Sequence, residues 1–139
     1  MTLATTTTLS QPALVINSVD YSDQCTSATL TITEEALEAT TFADSARKYT
    51  AGLTNVEFTC TLMLAYDTAE VEANLEGLVG TTTTIEVYAK NSTSPSATNP
   101  EYTITGAYLE SFTPINASLG ELQTVDLTFT GGTYARATT

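Results

Sequence analysis

The sequence predicts a mainly β protein with one α-helix. Three observations lead there. Apolar residues alternate with threonine and acids in several separate runs, which is the period of a strand with one buried face. Only one segment, DTAEVEANLEGLVG at 67–80, changes to a helical period. Glycine, proline, serine and asparagine gather between the alternating runs, where turns are expected.

The run and segment at 55–80 form the hub. Val56, Phe58, Cys60, Leu62 and Leu64 share one parity, opposite Glu57, Thr59 and Thr61. Asp67 is placed as the N-cap, with Glu70 three residues on, and Val71, Leu75, Leu78 and Val79 recur at helical spacing up to a stop at Gly80. The remaining strands must cover both apolar surfaces.

Residues 1–11 read as a threonine-rich, flexible N-terminal arm. From Pro12, ALVINSVDYSD is a short strand turning at 20–23, where Asp and Ser close a local side-chain turn. Ala28, Leu30 and Ile32 then alternate with Thr29, Thr31 and Thr33, and the parity breaks at Glu34 and Glu35, the mark of a β-bulge. The 41–54 connection is longer than a hairpin needs and reads as an interface loop; it holds Arg47 and Lys48. At 81–90 a strand buries Ile85 and Val87 and turns Glu86 and Tyr88 outward, before a loop over 91–100. The 101–112 strand puts Tyr102 and Ile104 inward; Gly106 marks a second bulge, after which Ala107 and Leu109 point inward and Tyr108 and Glu110 outward. Following a turn at 114–120, the last strand buries Val125, Leu127 and Phe129, and Gly131 and Gly132 end it, leaving 131–139 as a C-terminal tail.

At 139 residues the chain suits one domain with a real core. Sixteen acids against four bases give a formal charge of −12, which opposes phosphate binding but suits a wall that DNA slides past. The first residues carry no basic n-region or long apolar run, so a soluble, intracellular product is expected, with no membrane partner. Cys25 and Cys60 read as two small buried thiols. The absence of histidine removes the usual general base, and no glycine-rich phosphate loop, CxxC or basic patch occurs, so neither an enzyme nor a cofactor or metal site is expected. Glu34, Glu35 and Glu38 are the densest acidic group, without a supporting cluster.

The outward faces of four strands share one character. They carry Thr29, Thr31 and Thr33; Glu57, Thr59 and Thr61; Thr103, Thr105 and Glu110; and Thr124, Asp126, Thr128 and Thr130, with no Lys or Arg. Threonine is also a good strand former that decorates any solvent face. A face without cationic heads cannot grip phosphate, which fits the lining of a conduit.

VDYSDQ at 19–24, TTFADSARKYTAGLTNVEF at 40–58, SATNPEYTITG at 96–106 and LGELQTVDLTFTGGTYARAT at 119–138, in this order, resemble the major tail proteins, or tail tube proteins, of long-tailed bacteriophages, in the short form of actinobacterial phages. Gene transfer agent tubes are similar in layout. The resemblance implies a tail-tube-like fold, an antiparallel β-sandwich or barrel of about six to eight strands with one flanking α-helix, in a virion protein made in the host cytoplasm and assembled as hexameric rings stacked into a tube. The thirteen outward residues just named would line its lumen, and genomic DNA would pass without specific binding. Phe42, Asp44, Arg47, Lys48, Tyr49 and Arg136 would contact neighbouring subunits or rings, with Arg47 and Lys48 facing acids of a neighbour. A tape measure protein and tail terminator or tail tip proteins are the further partners implied. The other reading is a virion binding module, a capsid decoration or adhesion domain, whose threonine face meets only solvent.

Overall fold

The computed structural model describes residues 12–90 and 93–139. The expected arm at 1–11 therefore lies outside the described residues. The chain is mainly β, with eight strands and one short helix among the described residues: β1 Ala13–Ile16, β2 Val19–Asp20, β3 Cys25–Glu38, β4 Tyr49–Met63, α1 Val71–Glu76, β5 Thr82–Tyr88, β6 Glu101–Leu109, β7 Thr124–Thr130 and β8 Thr133–Ala137. Every ladder is antiparallel, in the order β2-β1-β5-β6-β7-β4-β3, with β8 also on β6.

One core gathers the inward parity of both halves of this sheet. Ile16 from β1, Phe58 and Leu62 from β4, Ile85 from β5, Ile104 and Leu109 from β6 and Leu127 and Phe129 from β7 are all buried together, and the helix closes the cluster with Val71 and Leu75. Phe58 and Phe129 face each other across the β4–β7 ladder with ring centroids 6.3 Å apart, a separation at which tilted rings attract. Residues from opposite ends of the strand order meet in one cluster, so the sheet is folded over on itself.

The fold line lies on β6. β7 pairs with Tyr108 and Leu109, and β8 pairs with Glu101 to Thr105 on the same edge. The register is the same on both sides, so β7 and β8 are one kinked strand that crosses from one leaf to the other, with Gly131 and Gly132 at the kink facing Gly106. On the other edge of β6, Thr83 pairs with Ala107 and Thr84 with Thr105, leaving Gly106 as the extra residue of a bulge. Gly106 has φ +81° and Gly132 has φ +87°, values that L side chains rarely adopt. A Cβ on Gly132 would collide with the Thr105 carbonyl oxygen, whereas one on Gly131 meets nothing within 4 Å.

The structure departs from the sequence expectation at several places. The region 133–137, expected as tail, is β8. β4 begins at Tyr49, inside the expected 41–54 loop, so the connection shrinks to 39–48. The first hairpin turns at Asn17 and Ser18, with φ 51° and 66°, as a two-residue loop in which both residues are left-handed; the expected Asp–Ser turn follows, with the Ser22 amide donating to Asp20 Oδ1 at 2.9 Å. The helix starts at Val71 with Glu70 at its N-cap, because Asp67 instead accepts the Thr68 amide at 2.7 Å, and Val79 lies exposed beyond the helix end. Tyr88 is buried, 4% exposed, rather than outward. Its hydroxyl donates to Glu86 Oε2 at 3.3 Å. A register shift falls at Glu34–Ala36, where the parity broke, but the extra residue is on β4, between Ala51 and Thr54; a second shift, between Cys25 and Ser27, has its extra residue on β3.

The crease supplies a paired test. Gly131→Ala should cost about 1–2 kcal/mol for a left-handed backbone alone, while Gly132→Ala adds a backbone collision and should cost clearly more. Urea denaturation of the two variants checks it; equal losses would mean that the close approach at Gly132 is not what limits that position.

Candidate functional site

Pairing of β3, β4 and β7 assembles most of the outward polar residues into cross-strand rows. Ser27, Thr61 and Asp126 form one row, Thr29, Thr59 and Thr128 the next, and Thr31, Glu57 and Thr130 a third, with Thr33 beside Asn55 beyond it. The third row continues through Tyr108 on β6 to Thr82 on β5. Thr124 sits beside Met63 at the other end. Glu57 and Asp126 are the only acids in the three rows, which hold no Lys or Arg. The Thr61 hydroxyl donates to Asp126 Oδ1 at 2.6 Å, so part of that carboxylate's hydrogen-bonding capacity is used within the sheet. Ser27, Thr59, Thr61, Asp126 and Thr128 line a shallow depression of about 270 Å³.

The other expected lining residues are placed differently. Thr103 and Thr105 stand between β5 and β8, opposite Glu86 and Thr84 on one side and Ala135 and Thr133 on the other. They belong to the outer surface of the second leaf. Glu110 follows the last residue of β6 on the parity of Tyr108. Ser27, Asn55 and Tyr108 also belong to the rows, beyond the residues the sequence marks as lining, and the outward parity of Tyr108 is legible in the sequence.

The second feature is a hairpin that leaves the core. β4 pairs with β7 only from Glu57 onward, so residues 34–54 continue as a two-stranded ribbon and its turn, with no buried residue. The stretch of β4 ahead of Glu57 reaches roughly 25 Å at the usual strand rise. Leu37, Tyr49 and Leu53 are exposed on it, and Phe42 at its tip is 113% exposed relative to an extended reference. The tip is locally ordered: the Thr41 amide donates to Asp44 Oδ2 at 2.8 Å, and Lys48 pairs with Asp44. The Lys48 ammonium and the Thr41 donors hold the Asp44 carboxyl below its ordinary value. Lys48 thus has its acidic partner inside its own loop, where an acid on a neighbour was expected. Arg47 and Tyr49 share this arm, whereas Arg136 lies on β8 opposite Tyr102, away from it.

Beneath the rows, burial, then Cys25, then Asp126 push the Cys60 thiol up to about 12, and burial and Cys60 push the Tyr21 hydroxyl to about 12. Burial also raises Cys25, against the lowering effect of its hydrogen bond to the Ser27 carbonyl. Among the described residues no group of three or more His, Cys, Asp or Glu is placed to hold a metal ion.

Both raised groups hold their protons more tightly folded than unfolded, so their contribution is complete below the unfolded thiol value of 9.0 and is lost as pH rises toward 12. Urea midpoints should hold near neutral pH and fall across that alkaline range. Cys60→Ala, less stable at neutral pH, should show a shallower alkaline decline. An identical slope would remove the thiol from the account.

No protein-family model matches the chain. No curated protein matches it either. Solved structures do. The chain superposes on a protein of the anti-feeding prophage tube-terminating cap over 100% of its own length and 95% of the other chain, with a TM-score of 0.73 at 12% identity. It matches a protein of the sheath–tube complex of an extracellular contractile injection system, PVC, in the extended state, over 93% and 89%, with a TM-score of 0.67 at 9% identity. A chain of the native gene transfer agent virion matches over 95% and 99%, with a TM-score of 0.61 at 11% identity. At these identities the likeness is one of fold: this chain has the architecture found in the tubes and caps of phage-tail-like particles.

Proposed function

We propose that the chain is a tube subunit of a tail-like particle, joining copies of itself into stacked hexameric rings with the polar face of β3, β4 and β7 toward the bore. The observation that carries this reading is the composition of that face: three strands bring serine, threonine, one Asp and one Glu into adjoining rows with no Lys or Arg among them. Polyanions are held by cationic side chains that displace their counterions. A bore lined this way offers none, and the net −12 of each copy adds long-range repulsion. DNA or another acidic cargo then passes without sticking.

The hairpin supports the same reading. A two-stranded ribbon is marginal on its own in water, and this one exposes Leu37, Phe42, Tyr49 and Leu53. A neighbouring subunit gives those side chains somewhere to go. Within this assignment the lining is narrowed to Thr29, Thr31, Thr33, Glu57, Thr59, Thr61, Thr124, Asp126, Thr128 and Thr130, and Thr103 and Thr105 face away from the bore. Tape measure, terminator and tip proteins would be its partners in the particle.

A second reading is a terminator that closes a tube, favoured by the cap protein among the matched structures. Negative-stain microscopy of the concentrated protein separates the two. A tube subunit gives rods of varied length with a central channel, and a terminator gives single rings that do not stack. Particles without a ring would overturn both and favour a binding module.

The bore assignment has its own check. Tubes assembled from a Thr59→Arg/Thr128→Arg variant should retain labelled single-stranded DNA oligonucleotides at 50 mM salt and release them as salt rises, whereas unmodified tubes retain none. Equal retention by both would place these rows away from the channel.

A further inference from the structure

Two surfaces that expose large apolar side chains stand at opposite ends of one strand. β4 has 15 residues, which span roughly 45 Å at the usual strand rise. Ahead of its first residue is the hairpin turn with Phe42. Beyond its last, the Leu64 amide donates to the Gln123 carbonyl at 2.9 Å, beside the 110–123 loop that leads into β7. In that loop Ile115, Leu119 and Leu122 are 76%, 106% and 79% exposed, so their own subunit gives them almost no cover.

The loop is nevertheless a held platform. Phe112 packs against the core at its start. The Tyr66 hydroxyl donates to the Pro114 carbonyl at 2.7 Å and Asn116 Nδ2 to the Thr124 carbonyl at 2.8 Å, which presents Ile115 between two fixed residues. Large aliphatic side chains held out into water in this way mark a contact surface. The two ends also differ in charge. Lys48 on the hairpin turn pairs with Asp44, whereas no ion pair of Arg47 occurs among the described residues. The far end carries Glu110 and Glu121 on the loop and Asp67 next to Tyr66, and the sequence has no Lys or Arg over 49–89 or 91–135. An apolar tip with an unpaired cation thus matches an apolar platform rimmed by acids.

We propose that the hairpin turn of one copy docks on the 110–123 loop of the next, with Phe42 among Ile115, Leu119 and Leu122 and Arg47 against Glu121. The length of β4 keeps the two surfaces apart within one molecule, so the contact joins different copies head to tail. Each added copy brings a new tip and a new platform, and the row has no natural end. The inference takes from the tube reading only that copies of this chain associate; within that reading it is the contact that stacks one ring on another.

The test uses the full chain in a Cys25→Ser background, which leaves only the buried Cys60. A Phe42→Cys chain and a mass-tagged Leu119→Cys chain are mixed in equal amounts and oxidised mildly, with Phe42→Cys plus tagged Thr128→Cys as the control. Disulfide between tagged and untagged chains is expected at least fivefold above the control, and Arg47→Glu added to the Phe42→Cys chain should lower its yield several-fold at low salt. A yield equal to the control, a majority of links between two Phe42→Cys chains, or indifference to Arg47→Glu overturns the proposal. Negative-stain images of the unmodified protein keep the two readings apart. Rods without the mixed link remove this contact and leave the tube, while the mixed link without rings keeps the contact and removes the tube.

Discussion

The structure depends on the close approach of two backbones at one point, where Gly132 crosses Gly106. A Cβ on Gly132 would be driven into the Thr105 carbonyl, and both residues hold backbone angles that side chains resist. With no side chains there, the chain kinks between β7 and β8 without losing register on β6. That kink lets one strand serve two leaves. The leaves then close on a common interior, and Phe58, Ile104, Leu109 and Phe129 come together although they lie far apart in sequence.

The polar face follows from this packing. In a strand the residues between buried ones must point the other way. Once Val56, Phe58 and Cys60 are pinned to the interior beside Val125, Leu127 and Phe129, the positions of Glu57, Thr59, Asp126 and Thr128 are determined with them. A slip of one residue would exchange the two faces, so core and outer rows protect the same register. The chemistry of the outer face is free to vary while its geometry is not, which makes its lack of cations informative.

Much of the fold was legible because the alternation is strict. The inward sets of β4 and β7 and the bulge at Gly106 are properties of one strand read along its length, whereas at Glu34 the extra residue belongs to the partner strand β4. Features that depend on which strands are neighbours were not legible. Gly131 and Gly132 read as a strand end because the ladder that continues beyond them is supplied by β6, and so β8 reads as a tail in the sequence. The start of β4 was hidden in the same way, since the residues before Asn55 are held only by β3. Thr103 and Thr105 show the same limit at the candidate site: parity marks them as outward, but only the strand order reveals that they sit on the other leaf. Tyr88 has outward parity and is nonetheless buried, a result of packing that parity does not carry.

The ribbon at 34–54 bears on kinetics. Its strands are held to each other and to no interior, so their order in a lone molecule rests on hydrogen bonds that water competes for. Covering such a ribbon couples the entropic cost of ordering it to the first encounter, and later encounters meet a surface already arranged. If copies join through this ribbon as proposed, growth starts slowly, proceeds readily once begun, and has a sharp concentration threshold below which the free molecule persists.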